Sequence, residues 1–257
     1  MPELESTIEK RLIDQLSQGE SQWTYCPELN TDEKLWQNLR GILESNNRDL
    51  LEGQALSEQE FEQVKNQLTF SSFYDAGRWI VGENGIARVH IRRDSKDLHL
   101  RVLNRAHVSG GSSVYQIINQ MQRFKDGTED GSQRNRRFDV TLLINGLPLI
   151  HIELKNRNHS YKEAYRQIVK YVKEGQFSGL FSCAQMFVVS NDVDTKYIAA
   201  ARFDELNAKF LSGWVDEQNK AMPNLTDFAQ KVLRIPEAHE LMTQYSVLDQ
   251  DKKRIIL

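Results

Sequence analysis

The chain has little of what marks a secreted or membrane protein. Its only cysteines, Cys26 and Cys183, are too far apart in sequence for a disulfide framework or a CxxC metal pair. No apolar stretch approaches the roughly 20 residues that span a bilayer. The N-terminal MPELESTIEK is acidic, whereas a secretory signal begins with basic and then apolar residues. These absences predict a cytoplasmic protein without a membrane partner.

The sequence also lacks the usual motifs of zinc and nucleotide sites. The histidines show neither HExxH nor paired Cys/His spacing, so we interpret each as a surface or core residue. They are His90, His99, His107, His151, His159 and His239. There is no GxxxxGK[ST] phosphate loop, and there are no internal repeats. This sequence therefore contains no predicted ATP site.

The chain also has no large net charge, but its charged residues are unevenly distributed. The 257 residues carry a net charge of -3, which argues against a protein that coats nucleic acid. Residues 1–62 hold 14 acidic and 5 basic side chains, a net of -9, so the remainder totals +6. Residues 134–173 hold nine basic and three acidic side chains. Any phosphate contact is expected there.

With 39% hydrophobic and 27% charged residues, the chain should fold as a globular protein. Helical spacing of apolar residues predicts amphipathic helices over ESTIEKRLIDQL, from Thr31 to Leu43 and from Ser57 to Leu68. Ser57 and Glu60 form a capping-box pattern. Alternation between Arg78 and Leu103 predicts a hairpin or two neighbouring strands. The acidic first part is thus mainly helical.

The middle of the sequence is predicted to form the core of the fold. Val114, Ile117, Ile118 and Met121 suggest a helical stripe, and Lys125 to Arg136 suggest a solvated loop. FDVTLLI and LPLIHIELK flank Asn145-Gly146, a strong hairpin signal. A helix is predicted from Tyr161 to Glu174, followed by a buried strand from Met186 to Val189. This order predicts an α/β fold with a mixed central sheet flanked by helices, and a helical segment beyond Tyr197.

Strand periodicity places Glu153 and Lys155 on one face of the second hairpin strand, and Asp139 lies in the first strand. Two carboxylates, with the Leu154 carbonyl between Glu153 and Lys155, are oxygen ligands of the kind that Mg²⁺ prefers. The Lys155 ammonium can orient water and offset charge during phosphodiester cleavage. The alternative is an ordinary half-exposed hairpin with a surface ion pair.

The two carboxylates share a face only if the hairpin departs from simple pairing. A regular two-residue turn at Asn145-Gly146 places Asp139 opposite Ile152, so that it points away from Glu153. A three-residue turn, or one β-bulge, aligns Asp139 with Glu153. Pro148, which cannot donate a backbone hydrogen bond, favours such a departure. We therefore predict an odd-length turn or a bulge.

The helix that follows adds polar side chains at regular spacing. Gln167 and Tyr171 are four residues apart and lie on one face. A stripe of basic residues runs beside them, consisting of Lys162, Arg166, Lys170 and Lys173. Taken alone, the stripe is equally typical of a solvated helix face, and Gln167 and Tyr171 of an amphipathic edge.

Together, Asp139, the triplet Glu153-Leu154-Lys155 and the QIVKY pentapeptide from Gln167 to Tyr171 resemble the PD-(D/E)XK nuclease signature with the QxxxY motif of the RecB-like branch. The string FDVTLLINGLPLIHIELKNR resembles the nuclease region of the restriction (R, or motor) subunit of type I restriction-modification enzymes. Similarity extends to ESTIEKRLIDQL, QIINQMQRF, VVSNDVDTKY and QYSVLDQDKKRIIL and so covers most of the chain. One departure is Phe138, where a proline usually precedes the aspartate.

This resemblance implies a PD-(D/E)XK core and roles for individual residues. Asp139, Glu153 and the Leu154 carbonyl would bind Mg²⁺, and Lys155, Gln167 and Tyr171 would serve catalysis. Glu9, with Glu5 next, is the candidate for a further acidic metal ligand from the first helix. Contacts with double-stranded DNA would come from the basic stripe, Lys162, Arg166, Lys170 and Lys173, together with Arg157.

The resemblance further implies a type I site-specific deoxyribonuclease subunit of which this chain is the nuclease part. Residues 1–200 would form the endonuclease domain, and residues 201–257 a helical appendage towards an ATP-dependent motor that lies outside this sequence. Methyltransferase and specificity subunits would be partners. Two alternatives remain at this stage: a stand-alone RecB-like repair or recombination nuclease, and a non-catalytic DNA-binding or docking module of the same fold.

Overall fold

The computed structural model describes residues 4–19, 21, 23–108, 113–123 and 136–257. In chain order its helices and strands are α1 (Glu5–Ser17), β1 (Thr24–Tyr25), α2 (Asp32–Asn46), α3 (Glu58–Gln67), α4 (Phe73–Val81), β2 (Ile86–Arg93), β3 (Lys96–Asn104), β4 (Tyr115–Arg123), β5 (Arg136–Ile144), β6 (Leu147–Leu154), α5 (Tyr161–Lys173), β7 (Met186–Ser190), β8 (Thr195–Ala199), α6 (Leu225–Phe228), α7 (Glu237–Thr243), β9 (Val247–Asp249) and β10 (Arg254–Ile256). Short 3₁₀ turns lie at Gly179–Cys183 and Ala208–Phe210, and a π-helical turn at Ala229–Leu233.

A six-stranded sheet in the order β1-β4-β5-β6-β7-β8 organises the fold. The pairs β1–β4 and β6–β7 are parallel, and the other neighbours are antiparallel. Helix α5 is the crossover between the parallel strands β6 and β7, which is the connection that parallel strands need. The predicted mixed α/β fold with flanking helices is confirmed.

The three predicted N-terminal helices are present, and the N-terminal caps of α2 and α3 follow from sequence. Helix α1 buries Ile8, Leu12 and Leu16, the residues whose spacing predicted it. The Thr31 side chain accepts the backbone N–H of Lys34 at the start of α2. Ser57 and Glu60 form the predicted capping box of α3.

The predicted helix around Val114 to Met121 is wrong, because this segment forms β4. Ile117, Ile118 and Met121 are fully buried in a strand between β1 and β5. A short apolar run buried on both faces does not alternate, so its spacing also fits a helix, and pairing within the sheet decides the outcome. The predicted loop beginning at Lys125 lies outside the described residues, except that Arg136 begins β5.

The sequence did not predict α4, which begins after the Ser72 cap and includes Arg78 to Val81, where we expected alternation to start. The alternating residues further along form β2 and β3, as predicted. They pair as an antiparallel hairpin separate from the main sheet. Helix α4 has nine residues, which is shorter than the window of about 11 to 18 residues over which helical periodicity is read.

The segment beyond residue 200 is only partly helical, so the predicted helical appendage needs correction. It combines the short helices α6 and α7 with a β9–β10 hairpin. The segment contacts the sheet layer, because Trp23 Nε1 donates to the Leu233 carbonyl (2.7 Å) and Tyr115 Oη lies 2.9 Å from His239 Nδ1. The division at residue 200 remains a prediction.

Within the described part of the chain, we found no helix that is both long and apolar enough to cross a membrane.

Candidate active site

A β-bulge in the β5–β6 hairpin brings the predicted site residues together. Asn145 and Gly146 form a two-residue turn, with φ of +51° and +79° as a type I′ turn requires. Ile144 pairs with Leu147 and Leu143 with Pro148, but Leu142 pairs with Ile150. Leu149 is therefore the extra residue. The predicted bulge is confirmed, and beyond it Val140 pairs with Ile152, which places Asp139 opposite Glu153.

The Leu154 peptide connects Asp139 with Lys155. Asp139 Oδ2 accepts the backbone N–H of Leu154 at 2.8 Å, and Lys155 Nζ donates to the Leu154 carbonyl at 2.9 Å. The Lys155 backbone N–H donates to the Ser190 carbonyl on β7 at 2.8 Å. The end of β6 is thus fixed on both sides, and Asp139, Leu154 and Lys155 meet there.

The Glu153 carboxylate is fully buried and bonded on both oxygens. Gln167 Nε2 donates to Oε1, and His151 Nε2 lies 3.2 Å from Oε2. On its other side, His151 Nδ1 lies 3.2 Å from the Thr141 hydroxyl. Burial lowers the pKa of His151 to about 4, so the ring is neutral at pH 7. Glu153 is therefore held by side chains from two elements, β6 and α5.

Two carboxylates at this position repel each other. Burial, followed by the neighbouring Glu153, raises the pKa of Asp139 well above its ordinary value. Burial raises the pKa of Glu153 to about 8, although the Lys155 charge acts in the opposite direction. Both shifts come mainly from burial, and perturbed carboxylates of this kind are typical of candidate functional sites.

Helix α1 brings two further carboxylates to the same region. Glu5 Oε2 lies 3.5 Å from Lys155 Nζ. Glu9 is 7% exposed, and its carboxylate accepts the side-chain amides of Asn119 and Gln120. Burial raises the pKa of Glu9, whereas those two hydrogen bonds and the Arg137 charge oppose the rise. The structure thus brings both sequence candidates from α1 to the site.

Gln167 and Tyr171 face the site from α5. Gln167 Nε2 also lies 2.6 Å from Tyr171 Oη, and Tyr171 Oη donates to the Arg137 carbonyl at 3.3 Å. Burial and the nearby Glu153 charge raise the pKa of Tyr171, which keeps the phenol neutral. This pair therefore connects Glu153 to the backbone of β5 beside Asp139.

The basic residues divide into two groups. Lys162, Arg166, Lys170 and Lys173 are all exposed on α5, and no ion pair links them to other described residues. Arg157 is also exposed, but its Nε donates to Asp192 Oδ2 at 2.8 Å. The stripe on α5 is therefore free to meet an anion, whereas Arg157 is held by a carboxylate.

The oxygen ligands available at this site meet part of what a hard divalent cation such as Mg²⁺ needs. No group of three or more described His, Cys, Asp or Glu side chains is close enough to hold a metal ion. Asp139 and Glu153 with the Leu154 carbonyl supply two carboxylates and one neutral oxygen, and Mg²⁺ commonly uses one or two carboxylates and keeps several waters. The raised pKa values of both carboxylates are consistent with this fit, since a cation would relieve their repulsion.

Comparison with known families agrees with this geometry. Residues 2–205 match the sequence model of the family described as type I restriction enzyme R protein N terminus. This chain belongs to that family. All the predicted site residues lie within the matched range.

Individual type I restriction enzyme endonuclease subunits are similar over nearly the whole chain. The SauCOLORF180P endonuclease subunit of Staphylococcus aureus strain COL is 30% identical over 248 residues, which are 96% of this chain and 24% of the relative. The SsaAORF53P subunit of Staphylococcus saprophyticus is 29% identical over 247 residues with the same coverage. The EcoprrI subunit of Escherichia coli is 29% identical over 258 residues, 98% of this chain and 77% of the relative. The chain spans about a quarter of the length of the staphylococcal relatives.

The sequence did not point to Asn119, Gln120 or His151 as part of the site. Asn119 and Gln120 lie in the segment that we predicted to be helical, so their contact with α1 could not be predicted. We interpreted His151 as a surface or core residue. It is a core residue, and its ring contacts Glu153. Strand alternation does place His151 on the same face as Glu153 and Lys155, but that placement alone did not give the histidine a role in the site.

Proposed function

We propose that this chain is the nuclease part of a type I restriction enzyme and cuts double-stranded DNA in a reaction that depends on Mg²⁺. The observation that carries the proposal is the bulge at Leu149, which aligns Asp139 with Glu153 beside Lys155. Membership of the R protein family supports a restriction role over a stand-alone repair nuclease.

Each residue of the site would have a separate role in the reaction. Asp139, Glu153 and the Leu154 carbonyl would hold Mg²⁺, which would polarise the phosphate and activate water when bound. Lys155 would orient the attacking water and offset negative charge that develops on the phosphate. Gln167 would keep the Glu153 carboxylate oriented, with Tyr171 fixing the amide of Gln167. The stripe on α5 would bind DNA phosphates, together with Arg157.

We further propose that the larger assembly supplies what this chain does not contain. ATP would act on a motor outside this sequence, which has no phosphate loop of the GxxxxGK[ST] type. Specificity and methyltransferase subunits would select the DNA. Cutting by this site therefore needs no base recognition by the chain itself.

The test is a plasmid cleavage assay with the assembled restriction complex, ATP and Mg²⁺. Asp139→Ala, Glu153→Ala or Lys155→Ala should abolish cleavage and leave ATP hydrolysis and DNA translocation nearly unchanged, because these residues serve only the cutting site. The control is Lys220→Ala, which removes an exposed lysine far along the sequence from the site. A folded Lys155→Ala complex that still cuts, or that loses translocation, would contradict the proposal. Intact DNA binding without any cleavage by the wild type would favour the docking-module alternative.

A further inference from the structure

Asn119 and Gln120 are consecutive residues of β4, yet their side-chain amides donate to the same carboxylate. Asn119 Nδ2 donates to Oε1 of Glu9, and Gln120 Nε2 donates to Oε2. Successive side chains of a regular strand point to opposite faces of the sheet. A shared acceptor therefore requires a local departure from strand geometry.

The departure lies at Gln120, whose φ is +52°. Residues other than glycine rarely adopt this region, and Gln is not among the types enriched there. Asn119 pairs with Val140 and Met121 with Phe138 across β4 and β5, so Gln120 lies opposite Asp139. The Gln120–Asp139 pair is itself missing from the ladder. The backbone is thus distorted at the point on β4 that faces the first predicted metal ligand. Backbone distortion of this kind concentrates at functional sites.

The distortion places a third carboxylate next to two others. Tyr25 Oη donates to Asn119 Oδ1 at 2.9 Å, which orients the amide that holds Glu9. Gln120, whose amide donates to Glu9, is also the residue opposite Asp139, so the Glu9 carboxylate lies near the first predicted ligand. Among the described residues, no lysine or arginine forms an ion pair with Glu9. Arg137 and Lys155 bring positive charge to this region, but neither forms an ion pair with Glu9, and a buried carboxylate without an ion pair is costly to desolvate.

The geometry also limits how Glu9 would meet a cation. Glu9, Asp139 and Glu153 are not close enough to bind one metal ion directly, because no group of three described His, Cys, Asp or Glu side chains could hold one. Mg²⁺ usually keeps several of its waters in protein sites. Both Glu9 oxygens accept one amide each, and each retains a further lone pair for a water molecule.

We propose that Asn119 and Gln120 form a clamp that positions Glu9 to bind, through water, the divalent cation of the proposed nuclease site. The inference rests on the proposed function. Asn119 and Gln120 are positioning residues, because they act on the cation only through Glu9.

The experiment is calorimetric titration of the 257-residue chain with MnCl₂, alongside thermal unfolding without metal. Gln120→Gly suits the distorted backbone, because glycine adopts positive φ readily and the amide donor is removed. Gln120→Gly, Asn119→Ala and Glu9→Gln should each raise the Kd for Mn²⁺ by about tenfold, the low end of the usual effect of outer-shell partners. The double variant Glu9→Gln/Gln120→Gly should bind as weakly as Glu9→Gln alone. Gln122→Ala, an exposed glutamine on the same strand, is the matched control and should bind as the wild type does.

The outcomes separate this inference from the proposed function. The clamp would be wrong if the losses in the double variant were additive, or if Gln120→Gly and Asn119→Ala bound Mn²⁺ as tightly as the wild type. The proposed metal site would still stand in that case, provided that Asp139→Ala abolished Mn²⁺ binding. If Asp139→Ala and Glu153→Ala left Mn²⁺ binding unchanged, the proposed metal site itself would be wrong. Should Gln120→Gly fail to fold, Asn119→Ala and its double variant with Glu9→Gln decide the question in the same way.

Discussion

At the scale of single residues, Gln167 illustrates how the site depends on side chains outside the predicted ligand set. One amide group donates to the Glu153 carboxylate and lies within hydrogen-bond distance of the Tyr171 hydroxyl. The spacing of Gln167 and Tyr171 predicted a shared helix face from sequence. That this face meets a buried glutamate depends on how α5 packs against β6 and β7, which local periodicity does not encode.

We predict that Gln167→Ala lowers the cleavage rate of the assembled complex by roughly 10- to 100-fold, the range typical when a residue that orients a metal ligand is lost. Tyr171→Phe should have a smaller effect, because the ring remains packed and only the hydroxyl is removed. The measurement is the initial rate of plasmid cleavage at saturating Mg²⁺, with Gln59→Ala on the exposed face of α3 as control. A Gln167→Ala rate within twofold of the wild type would show that Glu153 does not need this partner.

At the scale of elements, the basic stripe of α5 is the predicted DNA contact. Replacing Lys162, Arg166 and Lys170 together by alanine should flatten the dependence of log Kd on log salt by about two to three units, since each lost phosphate contact removes about 0.9. The assay is DNA binding by the assembled complex at several salt concentrations. Lys220, Lys231 and Lys252, also exposed, give a control variant with the same loss of charge. An unchanged slope in the α5 variant would show that the stripe is an ordinary solvated helix face.

Helix α3 and strand β2 are joined by a partly buried ion pair, and its strength should be visible in pH-dependent stability. Arg93 Nε donates to Glu60 Oε1 at 2.6 Å, and Arg93 Nη2 donates to Oε2 at 3.0 Å. The Arg93 hydrogen bonds lower the pKa of Glu60 to about 2 from an ordinary value of 4.5. Because the pKa is lowered on folding, the stabilisation is present above pH 4.5 and is lost as pH falls towards 2.

Glu60→Gln should therefore lower the free energy of unfolding by up to about 3 kcal/mol at pH 7, at about 1.4 kcal/mol per pKa unit, and by much less near pH 2. Urea unfolding at both pH values measures this difference. Glu62→Gln is the matched control, because its ion pair with Lys65 is exposed and should contribute only about 0.5 kcal/mol or less. Equal losses in the two variants at pH 7 would show that the Glu60 pair is no stronger than a surface pair.

The elements also show what sequence can and cannot predict here. Capping residues and helical spacing identified α1, α2, α3 and α5, because these signals are local. The bulge followed from a chemical requirement: two carboxylates had to share a face across an Asn-Gly turn. The β4 segment was misassigned because burial on both faces removes the alternation that distinguishes a strand. The distortion at Gln120 could not be predicted, since it lies at a contact with a helix about 110 residues earlier, which local sequence does not encode.

At the scale of the whole molecule, the sheet assembles a site from distant parts of the chain. Glu9 on α1, Gln120 on β4, Asp139 on β5 and Gln167 on α5 meet around the end of β6. The six-stranded order places β5 and β6 at the centre, with neighbours on both sides. Central strands are the most constrained part of a sheet, so the ligands that they carry are held with the least freedom. The helices then supply the side chains that orient these ligands.

The central claim is that Asp139 and Glu153 hold a divalent cation beside Lys155, and it can be tested by crystals of this chain grown with MnCl₂. Anomalous scattering from Mn²⁺ identifies the metal and its position independently of any activity. We predict a peak between the two carboxylates, bonded to both and to the Leu154 carbonyl at distances near the roughly 2.1 Å of Mg²⁺ sites. Crystals of Asp139→Ala should lack this peak. A wild-type structure that binds Mn²⁺ only elsewhere, or leaves these carboxylates without metal at saturating MnCl₂, would contradict the account.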